Sequence, residues 1–222
     1  FQPKHISAYA LTVEEGTPFG EWAAEGRLST PDPDLAADLY ELADELLAAA
    51  GYAQYEISNW AKETPLKKTG ARSDPTYPST SLPTTNPRFA CRHNLTYWRN
   101  EPYLGFGPGA HSFARGRRWA AVRGVPEYIR LVEAGASTLD FSETIDERLA
   151  MGETMMLGLR LLREGVAFDA FAARHSRSVE DVFGEEVAKL SHLGLLERLP
   201  DRVRLTPQAR LVGNQVFACF LP

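Results

Sequence analysis

Cysteine is nearly absent from this chain, with Cys91 and Cys219 the two thiols among 222 residues. So sparse a supply excludes a disulfide framework and a Cys-rich metal site built from these residues alone. It fits a reducing, cytoplasmic setting. Positive charge is in deficit too, Lys+Arg at 24 against Asp+Glu at 29, for a net charge of -5. Nucleic acid and anionic membranes both demand clustered Lys and Arg, so no nucleic-acid partner is expected and at most a peripheral membrane association. No apolar run approaches the roughly 18 residues of a membrane span, and no basic start followed by an apolar middle marks a signal peptide. An initiating methionine is also missing. The chain opens on Phe1 and reaches "HISAYAL" almost at once, so upstream residues carrying further strands of the same sheet are expected.

What is present suffices for one large core or two modest ones, since 44% of the residues are hydrophobic. "HISAYAL" has the texture of a buried strand. In "PDPDLAADLYELADELLAAAGY", Asp32 can cap a helix, Pro33 suits its first position, Leu35, Leu39, Leu42 and Leu46 make one apolar stripe, and Gly51 ends it. "AQYEIS" then reads as a strand. Strand, helix and strand in that order imply a parallel α/β unit. Residues 62–90 hold five prolines among many Ser and Thr, a composition that buries too little apolar area to offset chain entropy and predicts a mobile loop. From about residue 145 the texture turns helical, and "LLERL", "PDR" and "VRLT" form a hairpin before a last helix. Three helices and a small hairpin make a winged-helix arrangement, hence a second domain over 145–222.

A winged helix raises DNA binding as one reading. Its candidate groove helix, "SVEDVFGEEVAKLSHLG", presents Glu180, Asp181, Glu185 and Glu186 against the single Lys189. That face repels phosphate. "GFGPGAHS" lacks the spacing of a phosphate loop, but its glycines let backbone approach a bound molecule. If the turn follows a strand at the carboxyl edge of a sheet, His111 faces the pocket there. Glu56 reads as a structural carboxylate, and Cys219, among apolar residues, as a buried thiol. "CRHNLTYW" at 91–98 leaves two readings open. Imidazole and thiolate both ligate haem iron and the aromatics suit a flat macrocycle, whereas "LTYW" has β character and could fill a core.

Taken together, "HISAYALTVEEGTPF", "GYAQYEISNWA", "CRHNLTYW", "YLGFGPGAHSF" and "MMLGLRL" with the residues after it resemble the C-terminal part of the radical-SAM haem chaperones (HemW-like), relatives of the oxygen-independent coproporphyrinogen III oxidases. The resemblance covers nearly the whole chain except 62–90, which the family spans with only a few residues. It implies an α/β fold: the C-terminal part of a partial TIM-like barrel over 1–140, then the helical winged-helix-like domain. It also implies S-adenosyl-L-methionine, a 4Fe-4S cluster and haem as cofactors or cargo. On this chain, Ala10 and the run Gly107, Pro108, Gly109, Ala110 and His111 fall where the family lines the S-adenosyl-L-methionine pocket. His93, Asn94, Tyr97 and Trp98 match the HNxxYW segment linked to haem binding, with His93 the candidate iron ligand. No catalytic residue is assigned. The family's CxxxCxxC is not present, so the cluster ligands are expected upstream. The implied function is delivery of haem to acceptor proteins such as respiratory ones, without oxidase activity, and a second copy of the chain is a candidate partner. An oxidase that decarboxylates coproporphyrinogen III is the first alternative, and a winged-helix regulator the second.

Overall fold

Side-chain caps decide where helices begin, and in the computed structural model, which describes residues 1–29, 32–63 and 86–222, they act at both expected and unexpected places. The chain divides into two compact units, Phe1–Ala90 and Cys91–Pro222. The division is at 90/91, whereas the change of texture near 140–145 lies inside the second unit. The expected loop at 62–90 lies for the most part outside the described residues.

In the first unit, β1 (His5–Ser7) is short and half-exposed, less than the buried strand "HISAYAL" promises. Thr17 accepts from the Gly20 amide at 3.1 Å and Pro18 sets the first turn of α1 (Pro18–Ala24), a helix the sequence reading did not foresee. Asp32 accepts from the Asp34 amide at 3.1 Å to start α2 (Pro33–Ala49), and Gly51, with φ +78°, turns the chain out of it. The buried strand β2 (Tyr52–Glu56) folds straight back into β3 (Asn59–Lys62). Glu56 holds that turn, accepting from the Ser58 amide at 3.1 Å and from the Asn59 side chain.

Because the hairpin is tight, β3 rather than β1 pairs with β2, and the sheet order is β1-β3-β2 with every pair antiparallel. β1 and β2 therefore run in one direction, as the parallel unit read from element order requires, but β3 stands between them, antiparallel to both. Tyr55, Trp60 and Ala61 are fully buried. α2 meets this sheet through Tyr40 and Asp44. The Tyr40 hydroxyl donates to the Ile57 carbonyl at 3.0 Å, and the Trp60 indole donates to Asp44 at 2.8 Å. Its leucine stripe is displaced to solvent, Leu46 being 62% exposed.

The second unit begins with α3 (Arg92–Trp98), where "LTYW" was read as β-like. The antiparallel strands β4 (His111–Ala114), β5 (Arg117–Ala121) and β6 (Leu139–Thr144) follow, with α4 (Val125–Glu133) between the last two. The tail holds α5 (Glu147–Gly158), β7 (Val166–Ala167), α6 (Phe168–His175), α7 (Val179–His192), β8 (Leu196–Arg198) and β9 (Arg202–Leu205). A 3-10 helix (Pro207–Val212) and α8 (Gly213–Ala218) end it. The sheet β7-β9-β8 flanks three helices, the winged-helix-like arrangement the sequence implied. Met155, Leu159, Phe171, Phe183 and Phe220 form its buried centre. There Phe183 meets Phe220 edge-on at 5.3 Å, a geometry that adds to the area term. Cys219 is exposed, not buried as its apolar neighbours predicted, because α8 turns that face outward. Among the described residues no helix is long and apolar enough to cross a membrane.

Candidate functional site

A helix places residues four apart on one face, so once "RHNLTYW" is helical, His93 and Tyr97 must meet. Their rings stand edge to face at 4.8 Å, and the Tyr97 hydroxyl and His93 Nε2 are 3.3 Å apart. His93 itself is exposed. The C-terminal end of the helix is clamped. Asn100 adopts φ +52°, and Arg174 of α6 donates to the carbonyls of Arg99 and Asn100 at 3.0 and 2.7 Å. Arg99 grips Glu164 through two nitrogens, Nε and Nη2, and this hydrogen bonding raises the Arg99 pKa against the opposing effect of burial.

The faces of α3 away from solvent border a cavity of about 460 Å³, within the usual range for small-ligand sites. Asn94, Tyr97 and Trp98 line it on one side, and Tyr103 with Phe113 on another. Tyr97 and Tyr103 pack edge to face at 4.6 Å. Tyr103 is tied to Phe113 by two backbone hydrogen bonds of 2.8 and 2.9 Å. The polar wall is Arg118 of β5 and Glu153 of α5. Arg118 donates to Glu153 at 2.7 Å and to Glu143 of β6 at 2.8 Å. Burial pulls the guanidinium pKa down, but these carboxylates outweigh it and the net direction is up. Burial pushes the Tyr103 hydroxyl above its ordinary value, with Arg118 opposing.

Three of the four HNxxYW residues thus share one cavity wall, and the fourth, His93, stacks on that wall from outside. The other expected set is not brought to this place. Gly107 and Gly109, at φ +103° and +70°, form the turn that leads into β4. "PYLGFG" is not a strand before that turn; it contributes one isolated bridge, Tyr103 to Phe113, and leaves Phe106 88% exposed. The turn therefore precedes a strand instead of following one, and His111 is exposed and lines neither cavity described here. Ala10 belongs to the first unit, where it borders a separate cavity of about 340 Å³ with Leu35, Leu39, Tyr40 and Trp60. Among the described residues no group of three His, Cys, Asp or Glu side chains is placed to hold a metal ion.

Sequence reading missed Arg118 and Glu153. Glu153 did leave a trace, as a carboxylate inside the apolar run "AMGETMMLGL"; Arg118 left none.

Residues 145–212 match the model of the HemN C-terminal domain. The heme chaperone HemW of Bacillus subtilis is 37% identical over 219 residues, covering 98% of this chain and 51% of the relative. That of Mycobacterium tuberculosis is 32% identical over 217 residues, covering 98% and 47%. The chain spans about half the length of these curated relatives. Among solved structures, the coproporphyrinogen III oxidase HemN from Escherichia coli, a radical SAM enzyme, aligns with a TM-score of 0.65 at 14% identity, over 99% of this chain and 48% of that one. At that identity the likeness concerns the fold.

Proposed function

We propose that this chain, which belongs to the HemW-like radical-SAM proteins related to the HemN oxidase, binds haem at α3 and takes part in handing it to haem-accepting proteins. The observation that carries this reading is the presentation of His93: an exposed imidazole, fixed by Tyr97, on a short helix clamped at its C-terminal end by Arg174. A neutral imidazole ligates ferric or ferrous iron. An exposed one accepts a large flat ligand without opening a core, and can release it. Tyr97 and Trp98 supply aromatic surface beside it. Respiratory haem proteins are the acceptors we propose, and the cytoplasm the compartment.

S-adenosyl-L-methionine and a 4Fe-4S cluster belong to the family's chemistry, and the two fit this chain differently. A 4Fe-4S cluster requires several thiolates, whereas Cys91 and Cys219 stand at the N-cap of α3 and after α8. These two residues do not fit a cluster. For S-adenosyl-L-methionine we propose the run Gly107 to His111 as a contributor. A Cβ at Gly107 would meet nothing within 4 Å, so backbone there is open to a ligand. When bound with its cluster, S-adenosyl-L-methionine supplies a carbon-centred radical. The oxidase reading is weaker, because relatives 30–37% identical over 98% of this chain carry the chaperone's name while the oxidase likeness is one of fold.

The test is a haem titration followed by visible absorption, with His93→Ala alongside. A Soret shift that saturates near one haem per chain and weakens at least tenfold in the variant supports the proposal. Identical binding by His93→Ala removes His93 as the ligand, and no saturable binding removes the site from this chain.

A further inference from the structure

Two residues that line the cavity beside α3, Glu153 and Trp98, each bury a polar atom that the fold leaves incomplete. Glu153 is 5% exposed. Its Oε1 accepts from Arg118, while Oε2, out of reach of solvent, has no hydrogen-bond partner among the described residues, and Trp98 Nε1 shares that condition. A buried carboxylate oxygen without a donor forfeits its hydration with nothing in return, so such a group calls for a ligand or an ordered water. Charge narrows the choice. One guanidinium, Arg118, is divided between Glu143 and Glu153, so this ion cluster carries one surplus negative charge. The rings of Tyr97, Tyr103 and Phe113 enclose much of the remainder, with Met156 and Leu157 as an aliphatic wall. Aromatic faces attract cations and repel anions.

We infer that this cavity binds an organic cation with N–H donors on a short apolar stem, a primary ammonium or a guanidinium, whose donor completes Glu153 Oε2. The stem lies against Met156 and Leu157, and the rings flank the charge. Trp98 donates to an acceptor beside the stem. Both a free amine and a lysine or arginine side chain offered by a protein partner have this chemistry. A carboxylate does not: Arg118 is already committed to two glutamates, so it is not a seat for an acidic side chain of a porphyrin. The inference does not require His93 to ligate iron.

The indole resonance of Trp98 reports on the cavity and is assigned by its loss in Trp98→Phe. The native chain is titrated in ¹H–¹⁵N spectra with n-butylammonium, n-butylguanidinium, tetramethylammonium and butyrate. A saturable shift with the first two, at least tenfold weaker with tetramethylammonium, which has no N–H, and at least tenfold weaker in Glu153→Gln, is the expected result. An acetylated Gly-Arg-Gly amide that binds more tightly than n-butylguanidinium assigns the cation to a protein partner, and weaker binding assigns it to a small amine. No saturable shift with any cation means that solvent alone fills the cavity, and tighter binding of butyrate means a carboxylate site; either overturns the inference. The tetramethylammonium comparison uses the native chain, so it decides even if Glu153→Gln is poorly folded. Loss of haem binding with cation binding intact would sink the haem proposal alone, and the reverse result this one alone.

Discussion

Helices α2 and α7 start alike and end differently. Each opens on a side-chain cap, Asp32 to the Asp34 amide and Ser178 to the Asp181 amide at 3.0 Å. Each repeats apolar residues three and four apart: Leu35, Leu39, Leu42 and Leu46 in one, Val179, Phe183, Val187 and Leu190 in the other. Yet α7 buries all four, between 0% and 4% exposed, while the four leucines of α2 remain 48% to 62% exposed. α7 packs against α6 and β8, whereas α2 meets its sheet through the side of the helix that bears Tyr40 and Asp44, against β2, the Ile57 turn and Trp60 of β3. Periodicity defines a face. Only a neighbour turns that face into burial and stability.

Perturbing the two helices should therefore have unequal consequences. Phe183→Ala, which empties a fully buried site against Phe171 and Phe220, is expected to cost about 3–5 kcal/mol in urea unfolding followed by circular dichroism. A cost under about 1 kcal/mol would mean that the tail is loosely packed. Gly165→Ala tests the same unit through its backbone. At φ +59° a Cβ would run into the Val203 carbonyl and the Arg204 Cβ, so overlap and left-handed backbone together should cost roughly 2–4 kcal/mol.

Protonation gives a smaller, graded effect. Burial lowers the pKa of His175, as does Arg174, with Glu147 opposing, and its Nε2 is 3.0 Å from the Thr154 hydroxyl. Burial lowers that of His5 in the first unit as well. The unfolded chain, titrating at the usual 6.5, binds protons that the folded one resists, so stability is full above that pH and falls as pH drops below it. His175→Gln should flatten the fall in thermal melts of the chain. If the melts show no pH dependence through this range, the two imidazoles are not held neutral by the fold.

Leu39→Gln should do least, within about 0.5 kcal/mol, since glutamine matches leucine in helix propensity and the site is open. A loss above about 1 kcal/mol would break the comparison, by showing that the leucine face of α2 is covered in solution.

Much of this was legible in advance, and the failures have reasons. The Asp32 cap, the helical tail and its hairpin follow from local chemistry. The strand-helix-strand order and its parallel sense were right, but β3 went unforeseen, and the turn at Ile57 and Ser58 is short enough for it to enter between β1 and β2. "LTYW" was misjudged because intrinsic β preference yields to context in so short a segment. Asn100, able to adopt a left-handed backbone, ends the helix there, and Arg174 secures it.

By itself the sequence determined where α2 starts, which residues form apolar faces, and which segment carries His93, Asn94, Tyr97 and Trp98, since each depends on residues within a turn or two of one another. Only the tertiary structure decided which apolar face is buried and that Arg118 meets Glu153 across 35 positions of chain. A contact of that span is fixed by how β5, β6 and α5 pack, and no local spacing encodes it.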